Sequence, residues 1–150
     1  MRSSSAVVRI LVVDDFEPFR HFLREKLQAR PGLQVIGEAS DGSEAVQKAE
    51  ELQPDLILLD IGLPVLNGIE AAHRICGLVP GVRILFVSQN DDADIVAAAL
   101  NNGAKGYVRK LNASTELLRA VEAVLQGEHF VSTGLCGDRQ SSPLNECGSQ

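Results

Sequence analysis

Five strand-like apolar runs alternate with five segments that carry apolar residues at helical spacing, and this strict alternation constrains the fold more than any other feature of the chain. Such an order implies a doubly wound parallel sheet with helices on both faces. The first run, Val7 to Val13, is nearly continuous and rich in β-branched residues, the pattern of a strand buried on both sides. It stops at Asp14-Asp15. Phe19, Phe22, Leu23 and Leu27 then recur at helical spacing, with Pro18 suited to a first helical turn and Pro31-Gly32 as a terminator.

The pattern repeats along the chain. Gln34 to Ala39 predicts a second strand, and Ser43 to Leu52 a helix with Ala45, Val46, Ala49 and Leu52 inward. Asp55 to Asp60 is the third strand, Gly68 to Cys76 the third helix, and Val82 to Val87 the fourth strand after the turn Pro80-Gly81. Asp92 caps a fourth helix carrying Ile95, Val96, Ala99 and Leu100, which Asn101-Asn102-Gly103 ends. Lys105 to Arg109 makes the fifth strand. Ser114 or Asn112 caps the last helix, whose stripe is Leu117, Leu118, Val121, Val124 and Leu125. From Gly127 the apolar period is lost, so 127–150 reads as a linker-like tail, expected to be disordered and shorter than the roughly 40 residues an unstapled domain needs. Residues 1–6 read as an N-terminal extension and 7–126 as one domain.

Composition narrows the function. The 150 residues, 45% of them hydrophobic, suffice for one core and not two. A formal charge of -6 gives no electrostatic reason to approach nucleic acid or an anionic membrane. Cys76, Cys136 and Cys147 have no metal-site spacing, and their odd count fits a reducing cytoplasm. No apolar run approaches the roughly 20 residues that cross a bilayer.

In open α/β sheets, ligands bind outside the carboxyl ends of the strands. Those ends carry Asp14-Asp15, Asp60, Ser88 and Lys110, all on one edge. Three converging carboxylates repel one another unless they protonate or bind a cation. Oxygen ligands with no His or Cys near them in sequence point to Mg²⁺ or Mn²⁺. Lys110 and one divalent ion would balance the three aspartates. In such a site an aspartate can attack phosphorus, Ser88 can donate a hydrogen bond, and the Gly62 carbonyl can complete the coordination.

Taken together, Asp14-Asp15, Asp60, Ser88 and Lys110 resemble the receiver domain of bacterial two-component response regulators over about Val7 to Gln126. The stretch from Asp60 to Gly68 is similar to the loop after that family's phosphoacceptor, and Gly106 to Lys110 to its tyrosine-lysine segment. The resemblance implies a flavodoxin-like sheet of five strands in the order 2-1-3-4-5. It implies that Asp60 takes a phosphoryl group from a sensor histidine kinase, with Asp14, Asp15, Asp60 and Gly62 placing the metal. It also implies a switch pair, Ser88 and Tyr107, in which the hydroxyl turns to the phosphoryl group and the ring moves inward. Charge-assisted hydrogen bonds from Ser88 and Lys110 would contribute roughly 3 to 6 kcal/mol, of the order of the about 5.5 needed to invert a two-state population from 1:99 to 99:1.

The output expected from the resemblance is transcriptional control, with a homodimer formed through the first and last helices or through the fourth and fifth. Gly127 to Ser132 looks like the linker of regulators that continue into a LuxR-type DNA-binding domain; no such domain follows within these residues, so the expectation is either a chain cut at the linker or a regulator acting through protein contacts. Two positions depart from the family. Leu111 follows Lys110 where proline is common, so the peptide bond there is expected trans. Gln89 follows Ser88 where a small residue is usual, and is expected to shade the acceptor and slow arrival or loss of the phosphoryl group.

Plainer readings account for other residues. Asp91, Asp92 and Asp94 read as a solvated helix start favoured by the positive dipole end. His21, His73 and His129 are assigned no chemistry, Lys105 is a surface residue at the far strand end, and Cys76 is a small apolar residue near a helix end. A haloacid-dehalogenase-like phosphatase would need a second aspartate two residues after Asp60, where Gly62 stands, so the chain is expected to catalyse only its own phosphoryl transfer and loss. A nucleotide-binding domain would need a glycine-rich phosphate loop, and none is present. A degenerate receiver serving as a protein-interaction module is the remaining alternative.

Overall fold

Residues 7–132 are described by the computed structural model of the protein; the expected N-terminal extension and the expected tail beyond Ser132 lie outside them. The first apolar run forms β1 (Val8–Val13), whose last four residues are buried. Pro18 lies in the first turn of α1 (Glu17–Gln28), where its missing N–H costs nothing, and Leu23 and Leu27 face inward. The chain continues through β2 (Leu33–Ala39), α2 (Gly42–Leu52), β3 (Leu56–Leu59) and α3 (Gly68–Leu78). It then runs through β4 (Arg83–Ser88), α4 (Ala93–Asn101), β5 (Gly106–Arg109), a 3₁₀ turn at Lys110–Asn112, α5 (Ala113–Leu125) and β6 (Phe130–Val131).

All pairings are parallel, in the order β2-β1-β3-β4-β5-β6. The flavodoxin-like α/β architecture matches the expectation, but the sheet has six strands and not five. The extra one comes from the stretch read as tail. Phe130 N–H donates to the Lys105 carbonyl at 3.2 Å and Ser132 N–H to the Tyr107 carbonyl at 2.8 Å, so the open edge of β5 finds partners.

Strand alternation divides the core in two. Leu11, Val13, Ile57, Leu59, Phe86 and Tyr107 pack with Ala45 and Ala49 of α2, Ala71, Ala72 and Ile75 of α3, and Val96 and Ala99 of α4. On the other face Ile10, Val12, Leu58, Leu85 and Val87 pack with Leu23 and Leu27 of α1 and Leu117, Val121 and Val124 of α5. Asp41, Asn67 and Asp92 cap α2, α3 and α4 with their side chains. Asn112 occupies the N-cap position of α5 but makes no side-chain cap bond, and Ser114 lies inside the helix. The preceding 3₁₀ turn supplies the run-in that the expected cap would have given. Cys76 lies near the end of α3, as expected, and is exposed there.

Two glycines fix the approach of α2 and α3 to the loop after β3. A Cβ on Gly68 would stand 2.0 Å from the Asp60 carbonyl oxygen, and one on Gly42 would stand 1.8 Å from that of Leu66. The backbone that carries Asp60 is therefore clamped between helix starts.

Candidate functional site

Parallel pairing brings the ends of β1, β3, β4 and β5 to one side of the sheet, around a cleft of about 780 Å³. Asp60 N–H donates to the Val13 carbonyl at 3.1 Å and Asp14 N–H to the Ala39 carbonyl at 3.1 Å, so both aspartates continue the strand ladder one step past its end. Asp14 is 1% exposed and Asp60 6%. Asp15 is exposed at the rim, yet one carboxylate oxygen from each of Asp14, Asp15 and Asp60 lies within 4.8 Å of the others.

Lys110 enters the cluster from the start of the 3₁₀ turn that follows β5. Its Nζ lies 2.7 Å from Asp14 Oδ2 and 3.1 Å from Asp60 Oδ2, with a Phe19 ring face 4.6 Å away. Asp60 Oδ1 accepts the Ile61 N–H at 2.7 Å, and Asp14 Oδ1 accepts that of Phe16 at 2.8 Å. The contact between Lys110 and Asp14 Oδ2 is close but poorly aligned for a hydrogen bond, which leaves that buried oxygen short of a donor. Burial pushes the Asp14 carboxyl above its ordinary value, against the opposing pull of Lys110 and the Phe16 N–H. Burial alone would lower Lys110, but its contact with Asp14 and the charge of Asp60 outweigh that and raise it.

The donor set fits a hard divalent cation. It holds three carboxylates, one of them with a buried oxygen that faces only the Lys110 ammonium at 2.7 Å and lacks a well-aligned hydrogen bond, in an all-oxygen environment that one ammonium does not neutralise. Gly62 lines the same cleft.

Ser88 ends β4 at 2% exposure, and its Oγ accepts the Asn90 N–H at 3.2 Å. Tyr107 is fully buried with its ring inward, 6.2 Å from that of Phe86, and its hydroxyl donates to the Asn90 carbonyl at 2.6 Å. Burial pushes its phenol up to about 12. Gln89 lines the cleft beside Ser88. Leu111 is 77% exposed, and no cis peptide occurs among the described residues, as expected at Lys110-Leu111. Asp91 pairs with Arg109 at 3.4 Å and takes no part in the acidic cluster.

Sequence reasoning missed three participants. Phe19 was read only as a core residue, although its ring lies against Lys110. Arg20 donates to the Asp14 carbonyl at 2.7 Å while Glu38 on β2 holds it at 3.0 Å. Asn90 joins Ser88 to Tyr107 through its backbone. None leaves a signal in spacing.

A family model described as the response regulator receiver domain matches residues 10–122. The chain is 37% identical over 131 residues to the transcriptional regulatory protein LiaR of Bacillus subtilis (strain 168), covering 87% of this chain and 62% of that protein. It is 43% identical over 113 residues to the protein-glutamate methylesterase/protein-glutamine glutaminase of Thermotoga maritima, covering 74% of this chain and 33% of that protein. Among solved structures, a two-component response regulator of the LuxR family from Aurantimonas sp. superposes with a TM-score of 0.86 at 32% identity, covering 93% of this chain and 100% of that one. The chain spans between about half and three-fifths of the length of the first curated relatives it matches. Among the described residues no helix is long and apolar enough to cross a membrane.

Proposed function

This chain belongs to the response regulator receiver domain family, and we propose that Asp60 is its phosphoryl acceptor, with Lys110 and Ser88 as the groups that stabilise the transferred phosphoryl. One observation carries the reading: the buried Asp60 carboxylate shares the Lys110 ammonium with Asp14, in a cluster that Asp15 completes. Mg²⁺ or Mn²⁺, held by Asp14, Asp15, Asp60 and the Gly62 carbonyl, would supply the charge that neutralises the phosphoryl oxygens.

The chain's own residues do the rest. An Asp60 oxygen forms the new bond to phosphorus as the bond to the donor's imidazole nitrogen breaks, and that nitrogen keeps the electron pair. Lys110, already within 3.1 Å of Asp60 Oδ2, holds positive charge where the equatorial oxygens gather it. Ser88 exchanges the Asn90 N–H at its Oγ for a hydrogen bond to the phosphoryl group, and Tyr107, inward and bonded to the Asn90 carbonyl, holds the same loop from the other side. Ser88 and Tyr107 thus couple the acceptor to α4.

The donor is a sensor histidine kinase, and the output is control of transcription from the cytoplasm, by a homodimer or through protein contacts. The domain acts as a regulator and catalyses only its own phosphorylation and dephosphorylation; the esterase named for the Thermotoga relative belongs to a protein of which this chain matches 33%. Incubation with acetyl phosphate and Mg²⁺, followed by intact mass, tests the proposal. Wild type gains one phosphoryl group, and Asp60→Asn or chelation of the metal abolishes the gain. A gain that persists in Asp60→Asn contradicts it.

A further inference from the structure

Three groups surround the Lys110 ammonium: Asp14 Oδ2 at 2.7 Å, Asp60 Oδ2 at 3.1 Å, and the face of the Phe19 ring at 4.6 Å. Two of them are anions that a divalent cation would also claim. A cation of twice the charge held there would compete with the ammonium for the same oxygens, and the contacts that hold Lys110 would weaken. The neighbouring side chain gives little help, because Leu111 is 77% exposed.

Phe19 is placed differently. It sits in the second half-turn of α1 just after Pro18, its N–H donates to the Phe16 carbonyl at 3.0 Å, and its ring rests 5.4 Å from that of Phe22 at an interplanar angle of 30°. The ring face attracts an ammonium through its quadrupole but offers no lone pair to a metal ion. It lines the cleft together with Asp60 and Lys110.

We propose that Phe19 is a positioning residue for Lys110, whose ring keeps the ammonium beside Asp60 once a divalent cation occupies the carboxylates. This rests on the reading of Asp60 as acceptor. Its consequence is that the lysine is confined between an aromatic wall and the attacking carboxylate, where it meets the phosphoryl oxygens without a search. A leucine at this position fills similar space and supplies no such attraction.

Two measurements on the 150-residue protein test it. In wild type, the ε-methylene protons of Lys110 are displaced upfield by the Phe19 ring current relative to those of Lys48 and Lys105, and remain so when Mg²⁺ is added. Phe19→Leu abolishes the displacement and slows phosphorylation by saturating acetyl phosphate about fivefold, the order of one cation–π contact, with Mg²⁺ affinity unchanged; Phe19→Tyr retains both the displacement and the rate. Undisplaced wild-type protons overturn the proposal without any variant. So does a Phe19→Leu protein as fast as wild type, or a Phe19→Tyr protein as slow as Phe19→Leu, since a merely space-filling role would not discriminate aromatic from aliphatic. Failure of the wild type to take up phosphoryl overturns the acceptor reading instead, and the proton shift still decides the contact between Lys110 and Phe19.

Discussion

The Tyr107 hydroxyl donates to the main-chain carbonyl of Asn90 at 2.6 Å, tying the end of β5 to the loop that leads into α4. Tyr107→Phe removes the donor and leaves a carbonyl short of a partner. The expected loss is about 1 kcal/mol of stability, measured by denaturant unfolding, with faster amide exchange in residues 89–92. The pH dependence has a definite sign. The folded phenol is raised to about 12 from an ordinary 10.0. The neutral form is therefore favoured by folding; its contribution is intact below pH 10 and is lost as pH climbs from 10 towards 12. As the chain's one tyrosine, Tyr107 can be followed alone by its ultraviolet absorbance, and wild type should lose more stability than Tyr107→Phe across that window.

Val65, five residues after Asp60, has φ of 70° and is 80% exposed. A β-branched residue in the left-handed region carries strain of order 1 to 3 kcal/mol, and here little burial offsets it. Val65→Asn, which tolerates that region, should raise stability by about 1 kcal/mol. Thermal unfolding checks this, and a lowered midpoint would mean that the side chain has a stabilising contact.

Ser132 is fully buried at the end of β6. Its Oγ accepts the Arg109 N–H at 2.9 Å and its hydroxyl donates to Glu116 of α5 at 2.5 Å. Ser132→Ala should cost about 2 kcal/mol, because it strands a part-buried backbone donor and removes a donor from a buried carboxylate. Hydrogen exchange at the Arg109 amide should quicken more than at the amides of β1.

The sheet was legible because buried parallel strands need apolar runs, and Ile10 to Val13, Leu56 to Leu59 and Ile84 to Val87 supply them. The acidic cluster followed, since parallel strands must deliver their carboxyl ends to one edge. β6 was not legible: two residues carry no period, and what orders them is the free edge of β5 and the hydroxyl of Ser132. Phe19 was read as core because helical spacing assigns a residue to a face and says nothing of which end of the face borders a cleft. The bond from Tyr107 ends on a backbone carbonyl, which no side-chain pattern reports.

Gln89 lines the cleft next to Ser88. Gln89→Ala should quicken phosphoryl arrival from acetyl phosphate or its hydrolytic loss, with stability within about 0.5 kcal/mol of wild type, as for other substitutions at a solvent-facing rim. Time courses of intact mass read both rates. Unchanged rates would remove Gln89 from the gating of this site.

Borohydride reduction of the phosphorylated protein, followed by tandem mass spectrometry, locates the acceptor chemically, because an aspartyl phosphate is reduced to homoserine and a free carboxylate is not. Homoserine should appear at position 60, only when Mg²⁺ or Mn²⁺ accompanies the phosphoryl donor. Homoserine at position 14 or 15, or at 60 with every divalent cation chelated, would contradict a site in which one cation and Lys110 together neutralise the aspartates so that Asp60 can attack.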